Sequence, residues 1–472
     1  MIKNDWGENE NMSHINYDFL SESLLFSSHL EDEFAYLSDE ELQNEIKRYR
    51  EYVLTNMTNI LAEASEKDNL ISITIESFSQ RPDDNLLKQL ALYVDQILIS
   101  DPLFELTEEK SRSTEVMAQF YGMKTEGVDR KRLADALRYM KQHTTLVVCD
   151  FVKFIPISFL HEAPKEVPIM YDKDNYKNAL PQNVMNFLIE HIDVRNTYIN
   201  PNGGLRVELE KPLEKGTGLY IHFPECSFNS GEIVQYQTSE IVEFNERTGE
   251  ALFRLSIPDS ISNEEFSIWL NQSVNKACKH LYEETYQEFF FASRMNTMFL
   301  TQSSLKANLI SMDFETSNSI QSKIANMALK VNVPVFQNMD ISRIIDIRNN
   351  YGESFAVFRS ELGERLLQLS NIQDVNQLEN ELAAVTYQIN DRYVTEIKTE
   401  IKSLIRSIGI DAAIATGALI TNNIMSGNNM ISVVAGAIAA ADGVKDSIKL
   451  VGDIRNRPGY FLWKMSNDKF IL

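Results

Sequence analysis

Between residues 38 and 66 the apolar positions Leu42, Ile46, Tyr49, Val53 and Met57 recur every three or four residues, the period of one helix face. Ser38 and Glu41 precede that run in the spacing of a capping box, where hydroxyl and carboxylate each satisfy a backbone N–H left open by the first turn. The same period predicts helices over "PDDNLLKQLALYVDQ" and "DRKRLADALRYMKQH". The first runs into the apolar "ILIS" and is broken at Asp101-Pro102. "TTLVVCDFVKFIPISFL" is β-branched and aromatic between polar flanks, and predicts a strand with a continuation after Pro156. This alternation predicts a mixed α/β domain over 35–195.

The pattern then changes period. "LRVELE", "GLYIHF", "EIVQYQTSEIVEF" and "EALFRLSI" alternate or are rich in β-formers, with turn signals at "NPNGG" and "KGTG". "NERTGE" predicts a hairpin turn with Gly249 at the position that needs positive φ. Residues 196–258 therefore read as a small antiparallel β meander inserted in the larger unit. The α/β continuation, 259–339, opens on a second capping box, Ser262 with Glu265, ahead of a long helix. "LKANLISM" reads as a buried strand and "SNSIQSKIANMALK" as a helix. "VNVPVF" reads as a strand that Pro334 places at an edge or an end.

Residues 340–454 predict an all-α C-terminal helical bundle. "DISRIIDIRNNYGESFAVFRSELGERLLQL" forms one helix or two abutting at Gly352, and Leu378, Leu382, Val385, Ile389, Tyr393, Ile397, Ile401 and Leu404 hold helical spacing in the next. The bundle ends in "GIDAAIATGALITNNIMSGNNMISVVAGAIAAADG", uncharged from Ala412 to Ala441. Two helices over 408–425 and 430–451 joined by "SGNN" would place Gly409, Ala413 and Gly417 on one face, and Ser432, Gly436 and Ala440 on another. Such small-residue faces let backbones approach closely. Asp411, Thr421, Asn422 and Asn423 interrupt the first helix and Asp442, Lys445, Asp446 and Lys449 the second, which argues against a constitutive membrane span. The pattern resembles that of pore-forming bacterial toxins, in which a small-residue helical hairpin is shielded by amphipathic helices. Residues 455–472 form an aromatic tail, "RNRPGYFLWKM" and beyond, expected to dock on the body. The fold class is thus α+β, a mixed front followed by a helical bundle.

Charge narrows the partners. The 472 residues carry a net charge of -23, which opposes nucleic acid as a general ligand, since phosphate contacts need Lys and Arg. The acidity is concentrated: residues 1–66 hold fifteen Asp/Glu against four Lys/Arg, whereas 391–472 hold eight against ten. Residues 1–34 lack a signal-peptide pattern and read as an acidic mobile arm. Three widely spaced cysteines, Cys149, Cys226 and Cys278, define neither a disulfide framework nor a zinc site and suit a reducing cytoplasm. The Asn-, Ile- and Lys-rich usage points to a bacterial chain.

Candidate chemistry is sparse. Arg138 and His143 have the R-x-x-x-x-H spacing of a class of helical ribonucleases, with Tyr139 where a polar residue is more usual. Asp95, Asp101, Asp150 and Asp313 each adjoin an expected strand, where carboxylates can gather a divalent cation for phosphodiester hydrolysis. Cys278, His280 and Glu284 share one helix, and "HFPEC" brings His222 near Cys226, but packing and a turn account for both. No phosphate loop, dinucleotide fingerprint or nucleophile elbow is present, so no cofactor and no metal is expected. The reading that uses most of these features is a non-enzymatic bacterial effector of the anti-phage or toxin kind. Its front would meet a protein partner or a second copy, and its C-terminal hairpin would contact membranes conditionally. A metal-dependent or ribonuclease-like nuclease and an oligomeric scaffold are the alternatives.

Overall fold

The computed structural model describes residues 14–65, 72–77, 81–82, 84–107, 127–158, 180–199, 205–208, 217–224, 226, 232–245, 247, 250–295, 297–301, 303, 305–306, 308–310, 332–336, 341–350, parts of 356–368, 375–388, 414–418 and 432–434. Parallel pairing organises the front. Strands β1 (Ser72–Ile75), β2 (Gln96–Ser100) and β3 (Val152–Ile155) lie side by side in that order, each parallel to the next. The chain then returns to the other flank of β1, where β10 (Met298–Thr301) also pairs in parallel. Parallel strands need long crossovers, and helices supply them: Asp84–Tyr93 between β1 and β2, then Pro102–Leu106, Arg130–Gln142 and Thr144–Val148 before β3.

Both faces of this sheet are covered, which explains its unbroken apolar strands. Successive side chains point to opposite faces. Leu300 accordingly joins a core built with helices 39–55, 57–64, 84–93 and 130–142, while Phe299 joins a second core against helices Gln182–Glu190 and Asn263–Arg294. The latter helix, 32 residues and about 48 Å long, reaches further. Its first half brings Trp269 and Ala277 to a third core under an antiparallel sheet. That sheet comprises β4 (Asp193–Ile199), β5 (Leu205–Glu208), β6 (Thr217–His222) and β7 (Glu232–Gln235), in the order β5-β4-β6-β7. Strands β8 (Thr238–Asn245) and β9 (Glu250–Ser256) form a separate two-stranded hairpin at the expected turn. The meander is therefore two sheets, and β4, which begins before 196, is a strand the alternation did not reveal. Gly249 lies outside the described residues.

Both capping boxes form. The Ser38 hydroxyl accepts from the Glu41 N–H at 3.2 Å while the Glu41 carboxylate accepts from the Ser38 N–H at 2.8 Å, and Ser262 and Glu265 repeat the pattern. Mixed α+β architecture is as expected, and helices Ile341–Asn350 and Val375–Gln388 fall within the C-terminal stretch read as helical. Gly352, the segment 313–330 and the tail 455–472 lie outside the described residues.

Four expectations need correction. Residues 14–34 are not a mobile arm: a helix, Ile15–Glu22, and two 3-10 turns bury Leu20, Leu25, Leu30 and Phe34 in the first core. Their apolar content outweighs the surrounding charge. "TTLVV" is helical and the strand starts only at Val152, after Asp150 turns the chain at φ +61°. β-branched residues disfavour a helix by only about half a kcal/mol each, and burial of Leu146 and Val147 decides against that preference. "LKANLI" is helical at 305–306 and 308–310; Leu305 and Leu309, four apart, are both buried, and the strand is the preceding Met298–Thr301. Within the expected small-residue helices, residues Ile414–Ala418 and Ser432–Val434 are strands. β12 (Ile414–Ala418) pairs antiparallel with β11 (Asn332–Phe336), bringing Gly417 opposite Val333. β13 (Ser432–Val434) pairs antiparallel with β10, whose edge supplies backbone partners that a three-residue strand cannot find alone. Gly409, Ala413, Gly436 and Ala440 lie outside the described residues.

The packed N-terminus is testable. Leu20→Ala is expected to lower the unfolding free energy by about 2–5 kcal/mol, the cost of a core cavity. Urea denaturation measures it, and a free arm would give no change.

Candidate functional site

Strand order places a topological switch point between β1 and β10. From β1 the connections run to β2 and β3 on one side, and the return through the long helix reaches β10 on the other. Beyond the carboxyl ends of two adjacent strands whose connections diverge, no crossover covers the sheet edge, and α/β proteins place ligands there. Glu76 and Ser77 follow β1, Thr301 ends β10, and Ser303 and Lys306 come directly after it. Glu284 and Glu288 reach the same place from helix Asn263–Arg294, four residues apart and so on one face.

These groups interlock. The Lys306 ammonium lies 2.6 Å from the Glu76 carboxylate and 3.0 Å from that of Glu284. The Thr301 hydroxyl donates to the other Glu76 oxygen, and itself accepts from the Ser303 N–H at 3.0 Å. Ser303 then caps the helical turn that carries Lys306, accepting from the Lys306 N–H at 3.2 Å. Glu288 accepts from the Ser77 N–H at 2.7 Å, and the Ser77 hydroxyl accepts from the Ser100 N–H at 2.8 Å, which ties in β2. The Ser100 hydroxyl donates to Glu105 at 2.5 Å. Lys306 and Glu288 are fully buried, Glu76 is nearly so, and only Glu284 keeps a partly exposed side chain, at 23 %.

Burial and neighbours set the protonation states. Burial opposes charge on Lys306, yet attraction to Glu76, Glu284 and Glu288 outweighs it and holds the ammonium well above its usual range. Burial is also the main force on Glu288, and repulsion from Glu76 adds to it, so its carboxyl is raised well above 4.5. Cys226, with its sulfur 3.5 Å from the Ser303 hydroxyl, is pushed up to about 11 by burial. These shifts favour the ammonium form of Lys306 and the thiol form of Cys226. Burial favours the protonated form of Glu288, and the Glu76 and Glu284 carboxylates are the acceptors that face the Lys306 ammonium. Among the described residues no three His, Cys, Asp or Glu side chains are placed to hold a metal ion.

The residues singled out from sequence are dispersed. Asp95 and Asp150 precede β2 and β3, at the opposite end of the sheet from Asp101, and meet Arg348 at 3.9 Å and Lys153 at 3.2 Å respectively. Asp101 is buried as the cap of helix Pro102–Leu106, accepting from Leu103 and Phe104 N–H groups, from Asn16 at 2.9 Å and from Tyr49 at 2.5 Å. Its burial raises its carboxyl, and those bonds work against the rise. Asp313 lies outside the described residues. Arg138 is 41 % exposed against Glu33 and Asp135, whereas His143 is buried between the Tyr139 carbonyl and Asp84. The structure does not bring Arg138 and His143 together. Cys278 is a core thiol raised to about 12 by burial, His280 is exposed, and Glu284 belongs to Lys306. His222 lies 3.6 Å from Asp193, and Cys226 packs in the second core.

Sequence inspection missed Glu76, Ser77, Glu288, Thr301, Ser303 and Lys306. One signal was available. "EETYQEFFF" sets Glu284 and Glu288 on the helix face that also carries the aromatic core residues, where a carboxylate needs a partner. Lys306, read as part of a strand, could not be placed opposite them.

Fold and site together define a mixed α/β protein with a closed carboxylate–ammonium cluster at the switch point of its parallel sheet. Comparison with known protein families, with curated proteins and with solved structures gives no match at a significant level. Among the described residues, no helix is long and apolar enough to cross a membrane.

The raised Glu288 carboxyl fixes a pH dependence. A group raised on folding stabilises the fold most below its unfolded value, here 4.5, and that contribution is lost as pH climbs through the raised folded value. Glu288→Gln cannot lose a proton, so its unfolding free energy should fall less than that of the wild type above pH 4.5. Urea unfolding across that window compares the two, and parallel curves would mean that Glu288 does not titrate on unfolding.

Proposed function

We propose that the chain is a two-part bacterial effector. Its α/β body senses a ligand at the Glu76–Lys306–Glu284–Glu288 cluster, and its C-terminal Gly/Ala-rich segment is the responding part. The observation that carries this reading is a register. Thr301, whose hydroxyl holds Glu76, pairs with Ser432, so strand β10 serves the cluster on one side and the small-residue segment on the other. A ligand that draws Glu76 away removes the hydroxyl's partner at the end of the strand to which the segment is bound, and one that displaces Lys306 removes the ammonium that holds Glu76 in place. The segment is then freed to form the close-packed helical hairpin that its small residues favour. An open edge strand is the low-stability end of a sheet, where release costs least.

Non-enzymatic action fits the electrostatics. The cluster's surroundings favour the protonated amine and thiol, which suits binding and switching better than nucleophilic chemistry. The excess of carboxylates over ammonium favours a cationic or hydrogen-bond-donating ligand that takes the place of Lys306.

Lys306→Met removes the ammonium in full-length protein and mimics ligand capture. Amide exchange at 432–434 is expected to accelerate by about tenfold or more, as local opening allows. Dye leakage from anionic vesicles should rise, and Gly436→Leu in the same background should suppress it. If the folded Lys306→Met protein keeps wild-type exchange at 432–434, the coupling is wrong. If it opens without leakage, the membrane role is wrong.

A further inference from the structure

Helix Ile341–Asn350 turns one face to the α/β body. Ile341, Ile344, Ile345 and Arg348 recur at three and four residues, the spacing of a single helix face. Ile344 is buried in the first core, Ile341 and Ile345 pack against it, and the helix lies against helices Asp84–Tyr93 and Thr144–Val148.

Arg348 adds a different kind of contact. The carbonyls at the end of a helix have no donor within that helix. Ala91 lies in the last turn of helix Asp84–Tyr93, and Val94 and Asp95 follow it. The Arg348 guanidinium donates to the carbonyl of Ala91, to that of Val94 at 2.6 Å and to that of Asp95 at 3.4 Å. It also lies 3.9 Å from the Asp95 carboxylate and 4.1 Å from the centre of the Phe151 ring. Ala91 and Val94 are buried, and the Arg348 side chain is 10 % exposed. Arg348 is therefore a cation that caps the negative end of a helix from another element. A lysine has no planar fork with which to reach several carbonyls and stack on a ring.

Further along the chain, attachments to the body are smaller among the described residues. Helix Val375–Gln388 places Val385 in the first core, and β13 lends three residues to the edge of β10. Such an edge belongs to the part of a fold that opens locally at low free energy.

We propose that Arg348 is the standing anchor of the C-terminal region: strand 432–434 leaves β10 in a local opening while helix 341–350 stays seated beside β2 and β3. This inference rests on the reading of 432–434 as part of the responding segment, and it sets where the response stops. A segment released from β10 stays tethered to the body, so its return is an intramolecular step and the change is reversible.

Native-state hydrogen exchange on the full chain, at urea concentrations below global unfolding, tests it. In the wild type, 432–434 should open in an early step, and 341–350 should open only together with 96–100 and 152–155. Arg348→Met should speed exchange at 341–350 by about tenfold or more while 72–75 keep the wild-type rate. Arg348→Lys should behave like Arg348→Met, because an ammonium does not replace the guanidinium cap. A single opening step shared by 341–350 and 432–434 would overturn the proposal, as would wild-type exchange at 341–350 in Arg348→Met. No Lys306 variant enters this comparison, so a failure of the ligand coupling shows only in Lys306→Met and a failure of the anchor only here.

Discussion

The Lys306 ammonium, closed between Glu76 and Glu284, is the contact on which the arrangement of the sheet depends. It joins residues 230 positions apart and ties together the end of β1, the turn after β10 and the long helix that precedes it. Removing an ammonium and carboxylates from water costs several kcal/mol per ion, and their attraction offsets this only with good geometry and further hydrogen bonds. Thr301, Ser303 and Ser77 supply those bonds from strand ends, so the cluster closes only where the parallel register is correct. Well-packed apolar side chains could fill the same volume at no such cost. That makes the cluster better understood as a specific device than as a source of stability.

The same strand carries the consequence outward. β10 is four residues long, with β1 on one flank and Ser432–Val434 on the other. Thr301, at the end of that strand, bonds Glu76 through its side chain and pairs with Ser432 through its backbone. At the far end of the sheet Arg348 donates to the carbonyls of Ala91 and Val94 and stacks on Phe151, fixing the amino ends of β2 and β3. One end of the sheet is thus closed by backbone hydrogen bonds and an aromatic face, the other by a buried charge cluster.

Much of the local structure was legible. Capping boxes at Ser38 and Ser262, the helical stripe from Leu42 to Val53 and the β8–β9 hairpin all follow from interactions within a few residues. The misreadings share one cause. "TTLVV", "LKANLI" and residues 14–34 are short apolar stretches in which local preference amounts to tenths of a kcal/mol per residue, less than the burial energy of one leucine. Asp101 was noticed as a strand-end acid, but its role as a buried cap shared by Asn16 and Tyr49 depends on segments 85 and 52 positions away.

The amino-acid order alone determined the acidic character, the mixed α+β class, most helix starts and the absence of a nucleophile motif, because charge, periodicity and caps are local properties. Tertiary structure decided the switch point between β1 and β10, the partners of Lys306 and the strand pairing of Gly417 and Ser432. The physical reason is that a carboxylate's role depends on what lies within a few ångströms of it, and here those neighbours come from residues as far apart in the chain as Glu76 and Lys306.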